Sequence, residues 1–134
     1  MDPRFELAGM LLRKAKDDLA MVRRLLDDSA TPDWGIGFHV QQAVEKAMKS
    51  VLCADGIEYP RTHSISVLLD LLGDAAGTIP VAREALIVLS PYGVIFRYDE
   101  AGPSDLELAN LPDRTSLLSL AAKVVEWAEH AKSD

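Results

Sequence analysis

Residues 38–53 read FHVQQAVEKAMKSVLC, and this stretch decides the fold. On a helix each residue lies about 100° further round than the last, which separates the stretch into two opposite arcs. The apolar arc holds Val40, Ala43, Val44, Ala47, Met48 and Val51, and the polar arc holds His39, Gln42, Lys46, Lys49 and Ser50. We therefore expect a central helix that buries the first arc and offers the second for binding.

A first helix is predicted ahead of the central one. Asp2-Pro3 is a favourable start, because the carboxylate can cap free amides and proline is tolerated in the first turn. The helix should run to about residue 27 on an apolar stripe of Leu7, Leu11, Ala15, Leu19, Val22 and Leu26. Its outer face carries Arg13, Lys14, Lys16, Arg23 and Arg24. This basic face is either solvated, with partial pairing to nearby aspartates, or a phosphate-binding surface.

The rest of the chain also has helical patterns. The central helix should stop at Asp55-Gly56, and residues 65–72 form a short helix capped by Thr62 or Ser64 and ended by Gly73. Further helices are predicted from about Pro80 and over residues 113–132, and a surface loop is predicted over 101–112. Within residues 90–99 the sequence allows a helical turn or an extended piece, and the helical turn is favoured. No segment alternates apolar and polar residues. The expected fold is a single all-α domain over 1–134, an up-and-down bundle of four main helices plus a short helix.

Composition limits the class of protein. The chain has 134 residues and a net charge of −7, so nucleic acid could bind only at a local basic face of the first half. No apolar run is long enough to span a membrane, and Asp2, Arg4 and Glu6 stand where a signal peptide needs apolar residues. The lone Cys53 cannot form an internal disulfide, which favours a reducing cytoplasm.

The sequence gives no support for a metal site or for a cofactor. His39, His63 and His130 lack partners at metal-ligand spacing, so neither a metal site nor a cofactor is predicted. Glu45 and Lys49, four residues apart, are explained as a surface ion pair.

A set of polar and aromatic residues could converge on a binding site. It comprises His39, Gln42, Lys46, Lys49, Arg61, His63, Tyr92, Arg97 and Tyr98. Lysine and arginine neutralise phosphate, glutamine can read a base edge, and tyrosine can stack on a base. The alternative is a set of separate surface residues, with Tyr98 filling the edge of the core.

The strings FHVQQAVEKAMKSVL, PRTHSISVLLDLL and YGVIFRYD, followed by a long last helix, resemble the HEPN family of small helical bundles. The resemblance covers most of the chain, and the FHxQQAxEKAxK string is its most specific part. It implies a bundle of four or five helices, commonly dimeric, and a nucleotide-binding role. It also implies a minimal nucleotidyltransferase as partner, in a toxin–antitoxin pair.

Many HEPN domains are ribonucleases with an arginine followed, after four to six residues, by a histidine. This chain departs from that motif, because Arg61 lies only two positions before His63, while Arg97-Tyr98 matches the Arg-Tyr pair of a non-catalytic branch. The first interpretation is thus a homodimeric module that binds a nucleotide or a nucleotidyltransferase through Arg97, Tyr98, Gln42, Lys46, His39 and His63. The alternative is a metal-independent ribonuclease toxin that uses Arg97 with His39 or His63. Wide apolar arcs, expected to leave Leu and Trp surface to cover, are compatible with a dimer.

Overall fold

The computed structural model describes residues 2–94 and 111–133, and within these ranges the chain forms helices and turns without a strand. The α-helices are α1 (Pro3–Leu25), α2 (Asp33–Ala54), α3 (Ile65–Leu72), α4 (Arg83–Ile87) and α5 (Arg114–Ser133). Two 3-10 segments, Gly73–Thr78 and Ser90–Val94, lie between them. The predicted all-α bundle is confirmed. None of the described helices is both long and apolar enough to cross a bilayer.

Most helix ends lie where local chemistry predicts them. The Asp2 carboxylate accepts a hydrogen bond from the Arg4 amide at 2.9 Å, and α1 begins at Pro3. Ser64 rather than Thr62 caps α3, accepting from the Val67 amide at 3.3 Å. Gly56 and Gly73 follow α2 and α3 with φ of 73° and 58°, a left-handed region that favours glycine.

The segment after Pro80 is less helical than its pattern suggests. α4 has only five residues, although Leu86 and Leu89 are buried as predicted. Its continuation is the 3-10 turn Ser90–Val94, where Pro91 lacks the amide that a continuing α-helix needs. The favoured helical turn is therefore present as far as residue 94. Residues 95–99 and nearly all of the expected loop over 101–112 lie outside the described residues.

α2 is the central helix, in contact with α1, α3, α5 and the turn Ser90–Val94. The Cys53 thiol donates to the Arg4 carbonyl at 3.2 Å, so the end of α2 lies beside the start of α1 and the two helices are antiparallel. Lys16 pairs with Glu129 at 2.8 Å, while the Arg114 guanidinium contacts the Leu25 carbonyl. α5 therefore runs antiparallel to α1 and parallel to α2.

One apolar core fills the space between these helices. Its α5 residues are those predicted from the sequence: Leu117, Leu120, Ala121, Val124, Val125, Trp127 and Ala128. The prediction for α1 is wrong at its start, because Leu7 is 42% exposed while Ala8 and Leu12 are buried. Going back from Ala15 in steps of four turns about 40° a step, so Leu11 and then Leu7 lie further from the side that faces α2 and α5.

The expectation of exposed tryptophan surface is wrong for Trp127. Its ring is buried, and its indole N–H donates to the Thr78 hydroxyl at 2.8 Å. The exposed apolar side chains of the described residues lie instead mainly on α1 and around α3 and α4. Those on α1 are Phe5, Leu7, Met10 and Met21.

Candidate functional site

The polar arc of α2 is only partly open. Every residue over 34–54 is buried or half-buried, since α2 has neighbours on almost every side. Ser50, predicted to be on the open arc, is buried and donates to the Ala47 carbonyl at 2.8 Å. The arc is therefore a set of hydrogen-bonding groups held between elements rather than a free outer surface.

Glu45 is the centre of a buried polar network. Its side chain is 5% exposed and accepts from Gln41 Nε2 at 3.0 Å and Lys49 Nζ at 3.0 Å. Its Oε1 lies 2.9 Å from Nδ1 of His63, in the segment between α2 and α3. The predicted Glu45–Lys49 ion pair is confirmed, but its placement at the surface is wrong. A buried carboxylate needs several donors, and α2 supplies two at i−4 and i+4.

The same network fastens the segment before α3 to α2. Lys49 Nζ donates to the Thr62 carbonyl at 2.9 Å, and Gln41 Nε2 donates to the His63 carbonyl at 3.1 Å. Lys49 also lies 5.5 Å from the centre of the Tyr59 ring, within range of a cation–π contact. Burial, followed by the nearby Cys53 and Glu45, raises the pKa of Tyr59.

Gln42 and the turn after α4 extend this network. Gln42 Nε2 donates to Gln41 Oε1 at 2.7 Å, so the two glutamines act as a unit. A Cβ added to Gly93 would lie 2.6 Å from Gln41 Nε2, and one on Gly37 would lie 2.7 Å from the Tyr92 ring. These two glycines allow the turn Ser90–Val94 to pack directly on α2, with Tyr92 buried.

A second cluster joins α2 to α1 through Asp18. The Asp18 carboxylate is 3.0 Å from His39 Nδ1 and 2.6 Å from Lys46 Nζ. Asp18 is buried, whereas about a quarter of each partner side chain is exposed, 26% for His39 and 24% for Lys46. Gln42 lies between these partners, three residues after His39 and four before Lys46, on the same side of α2.

The structure thus brings several predicted site residues together. His39 and Lys46 meet at Asp18, Gln42 lies between them, and His63 and Lys49 meet at Glu45. Tyr92 contributes packing under Gly37, and Arg61 is exposed. Arg97 and Tyr98 lie outside the described residues.

The sequence did not indicate three hydrogen-bonding residues of this site. They are Asp18, Gln41 and Glu45, the last of which was expected at the surface. The i−4 and i+4 spacing of Gln41 and Lys49 around Glu45 is a signal that could have found the Glu45 network. Asp18 lies on the buried side of α1 next to Leu19, where a carboxylate is rare unless it is paired, so its position signals a partner on another helix. Across the part of the chain that the structure describes, no group of three or more His, Cys, Asp or Glu could hold a metal ion.

The arrangement can present donors to an anion. Lys46 has three N–H groups and Asp18 uses one, while His39 keeps its second ring nitrogen outside the Asp18 contact. The neighbouring amide of Gln42 offers a donor and an acceptor, which suits a base edge or a ribose hydroxyl. Asp18 holds these groups in position but also opposes a negatively charged ligand.

Comparison with known proteins identifies the family. No curated protein and no solved structure matches the chain significantly. A family model described as HEPN domain matches residues 8–131, which is nearly the whole chain and includes both polar clusters. The resemblance drawn from the central helix is thereby confirmed, and the chain belongs to the HEPN domain family.

Proposed function

We propose that residues 1–134 form one HEPN-like domain that binds a nucleotide. Its contacts are supplied by His39, Gln42, Lys46 and His63, with Arg97 and Tyr98 completing the site. The observation that carries the proposal is the meeting of His39 and Lys46 at the Asp18 carboxylate, and Gln42 lies about one turn of α2 from each of them. Donors held in place before a ligand arrives lose less freedom on binding.

The phosphate is assigned to the Lys46 and His39 side of the site. Lys46 is half-buried and held by a short bond to a buried carboxylate, so its remaining N–H groups have a fixed direction. Asp18 reduces the local positive charge, and we therefore expect modest affinity that weakens as salt is raised. Base recognition is assigned to Gln42 and base stacking to Tyr98.

Calorimetry with nucleoside mono-, di- and triphosphates and a short single-stranded RNA tests this proposal. Lys46→Ala should lower the affinity for the bound member at least about tenfold. Lys123→Ala, which removes an exposed lysine on α5, is the matched control and should leave affinity unchanged. Thermal unfolding of both variants checks that the fold survives. Absence of binding across the panel, or equal losses in both variants, would overturn the proposal.

The partner proposals rest on the family resemblance. We propose that two copies form the working unit and that a minimal nucleotidyltransferase, encoded beside this chain, binds it in a toxin–antitoxin pair. The lone Cys53 supports a cytoplasmic site of action. Co-expression with the neighbouring nucleotidyltransferase and affinity purification is the direct test. Failure to recover a complex would overturn the proposed partner. It would not affect the nucleotide-binding proposal, which calorimetry tests separately.

A metal-independent ribonuclease is the second candidate, supported by the contact between Glu45 and His63. A carboxylate bound to Nδ1 fixes the imidazole and leaves Nε2 as the nitrogen able to exchange a proton. Expression in a bacterial host and incubation of purified protein with RNA decide between the candidates. Normal growth together with intact RNA would reject the ribonuclease.

A further inference from the structure

The outward side of α1 carries a seam of exposed residues, Leu7, Met10, Lys14, Asp17 and Met21, at alternating steps of three and four. This is the spacing by which one helix packs along another. Seven large apolar side chains of the described residues are exposed, and three of them, Leu7, Met10 and Met21, lie on this seam. Nearly half of the exposed large apolar side chains of the described residues therefore lie where a helix could dock.

The charged residues of the seam lack partners within the described chain. Lys16 pairs with Glu129, and Asp18 pairs with His39 and Lys46, whereas Lys14 and Asp17 form no ion pair with any described residue. Both are exposed. The seam thus has apolar side chains at both ends and a positive charge followed by a negative charge at its middle. It can bind a surface on which a negative charge faces Lys14 and a positive charge faces Asp17.

We propose that the α1 seam binds the α1 seam of a second copy of this chain, with the two helices antiparallel. Reversing the sequence about a point between Ala15 and Lys16 places Met10 against the partner's Met21 and Lys14 against the partner's Asp17. The two-fold axis repeats each contact, so the dimer contains two methionine layers and two ion pairs.

The same register also covers a shallow, open depression beside the seam. It lies along the first half of α1, and all the residues that line it, Glu6, Leu7 and Met10 among them, belong to α1. The partner's Arg24 falls opposite Leu7, where its aliphatic stem covers the leucine and its guanidinium reaches Glu6. Complementary charge along the seam also explains how chains that each carry −7 can approach at this face.

This inference rests on the proposed homodimer and names its interface, independently of nucleotide binding. Central layers made of ion pairs fix direction and register but weaken association, so we expect a dimer with micromolar affinity. The surface also borders the Asp18 cluster, because Asp18 lies four residues after Lys14 and three before Met21, the spacing of neighbours on a helix surface. Dimerisation would thus place the partner beside the His39–Lys46 site.

Charge reversal measured by sedimentation equilibrium tests the register. Lys14→Asp sets two pairs of carboxylates against each other and Asp17→Lys sets two pairs of ammonium groups, so each should weaken the dimer at least about tenfold. The double variant Lys14→Asp with Asp17→Lys restores opposite charges and should return the affinity to within about threefold of the original.

Two further variants separate the interface from general apolar surface. Met10→Glu should give monomer, whereas Val88→Glu, at a more exposed apolar position outside α1, should leave the dimer intact. A dimer that survives all the α1 variants would overturn this interface while leaving the homodimer. Monomer alone at high micromolar concentration in the unchanged protein would overturn both.

Discussion

Glu45 on α2 and His63 in the segment before α3 are joined by a 2.9 Å contact between Oε1 and Nδ1, across 18 positions of sequence. The carboxylate also binds Lys49 and Gln41, which in turn hold the Thr62 and His63 carbonyls. One buried side chain therefore decides where the 55–64 segment lies. The candidate site depends on it, since His63 is placed by this contact.

Glu45→Ala should destabilise the fold by about 3–5 kcal/mol, because it leaves the Lys49 ammonium and the Gln41 amide without their buried acceptor. Urea unfolding followed by circular dichroism measures the loss. Glu126→Ala, at an exposed position on α5, is the control and should stay within about 0.5 kcal/mol. Replacing Glu45 and Lys49 together by leucine and methionine should cost less than Glu45→Ala. Equal losses for Glu45 and Glu126 would contradict the buried network.

Gly37→Ala and Gly35→Ala should act in opposite directions, although both sites lie in α2. A Cβ at residue 37 would be 2.7 Å from the buried Tyr92 ring, so overpacking should cost about 1–3 kcal/mol. At residue 35 the nearest atom is 3.7 Å away, and alanine should stabilise the helix by about 0.5–1 kcal/mol. Thermal melts of the two variants compare them directly. Similar melting temperatures would mean that Tyr92 does not pack on Gly37.

The local features of the sequence predict local structure well. Asp2 caps α1, Ser64 caps α3, Gly73 ends α3, and the apolar spacing of α5 gives its buried face, because each depends on residues within one or two turns. The error at Leu7 has another origin, because there the neighbouring helices rather than the local pattern decide which side is buried. The shortness of α4 follows from Pro91, which lacks the amide that a continuing α-helix needs.

The sequence indicates which residue types could form the site, but it does not indicate which of them contact each other. The sequence places His39, Gln42, Lys46 and Lys49 on one side of a helix, but Asp18, the partner of His39 and Lys46, is 21 positions from His39. Burial of Glu45 could not be predicted from composition, since carboxylates are almost always exposed unless they are paired. Helix periodicity locates a face, and only the packing of α1 and the 55–64 segment on α2 reveals what that face binds.

Stability at alkaline pH should depend on Tyr59. Burial, then the nearby Cys53 and Glu45, raises the pKa of its phenol above the usual value of 10.0. In the unfolded chain the phenol releases its proton near pH 10, whereas the folded protein retains it, so the Tyr59 contribution is present below pH 10 and is lost as pH rises through the folded pKa.

Tyr59→Phe should therefore make the free energy of unfolding fall less steeply above pH 10, as measured by urea unfolding at a series of pH values. Glu45→Gln should lower the pKa of Tyr59, because it removes one of the negative charges that raise it. Ultraviolet absorbance titration, with the Tyr59→Phe spectrum subtracted, reports that pKa. An unchanged titration in Glu45→Gln would show that burial and Cys53 account for the whole shift.

Arg114, the first residue of α5, should prove to be the main anchor between that helix and the α1–α2 connection. Its guanidinium donates to the Leu25, Asp28 and Thr31 carbonyls and pairs with the Asp33 carboxylate at 3.0 Å. These acceptors lie round a planar fork that lysine cannot reproduce, so Arg114→Lys should destabilise the fold by about 2 kcal/mol.

A variant of Asp33 distinguishes the ion pair of Arg114 from its hydrogen bonds to backbone carbonyls. It is 70% exposed, and Asp33→Asn should cost less than about 1 kcal/mol because a solvated ion pair contributes little. Urea unfolding of both variants in one buffer gives the comparison, and raising the salt concentration should change the Asp33 effect more than the Arg114 effect. If Asp33→Asn cost as much as Arg114→Lys, the carbonyl contacts would not be what holds α5 against the connection.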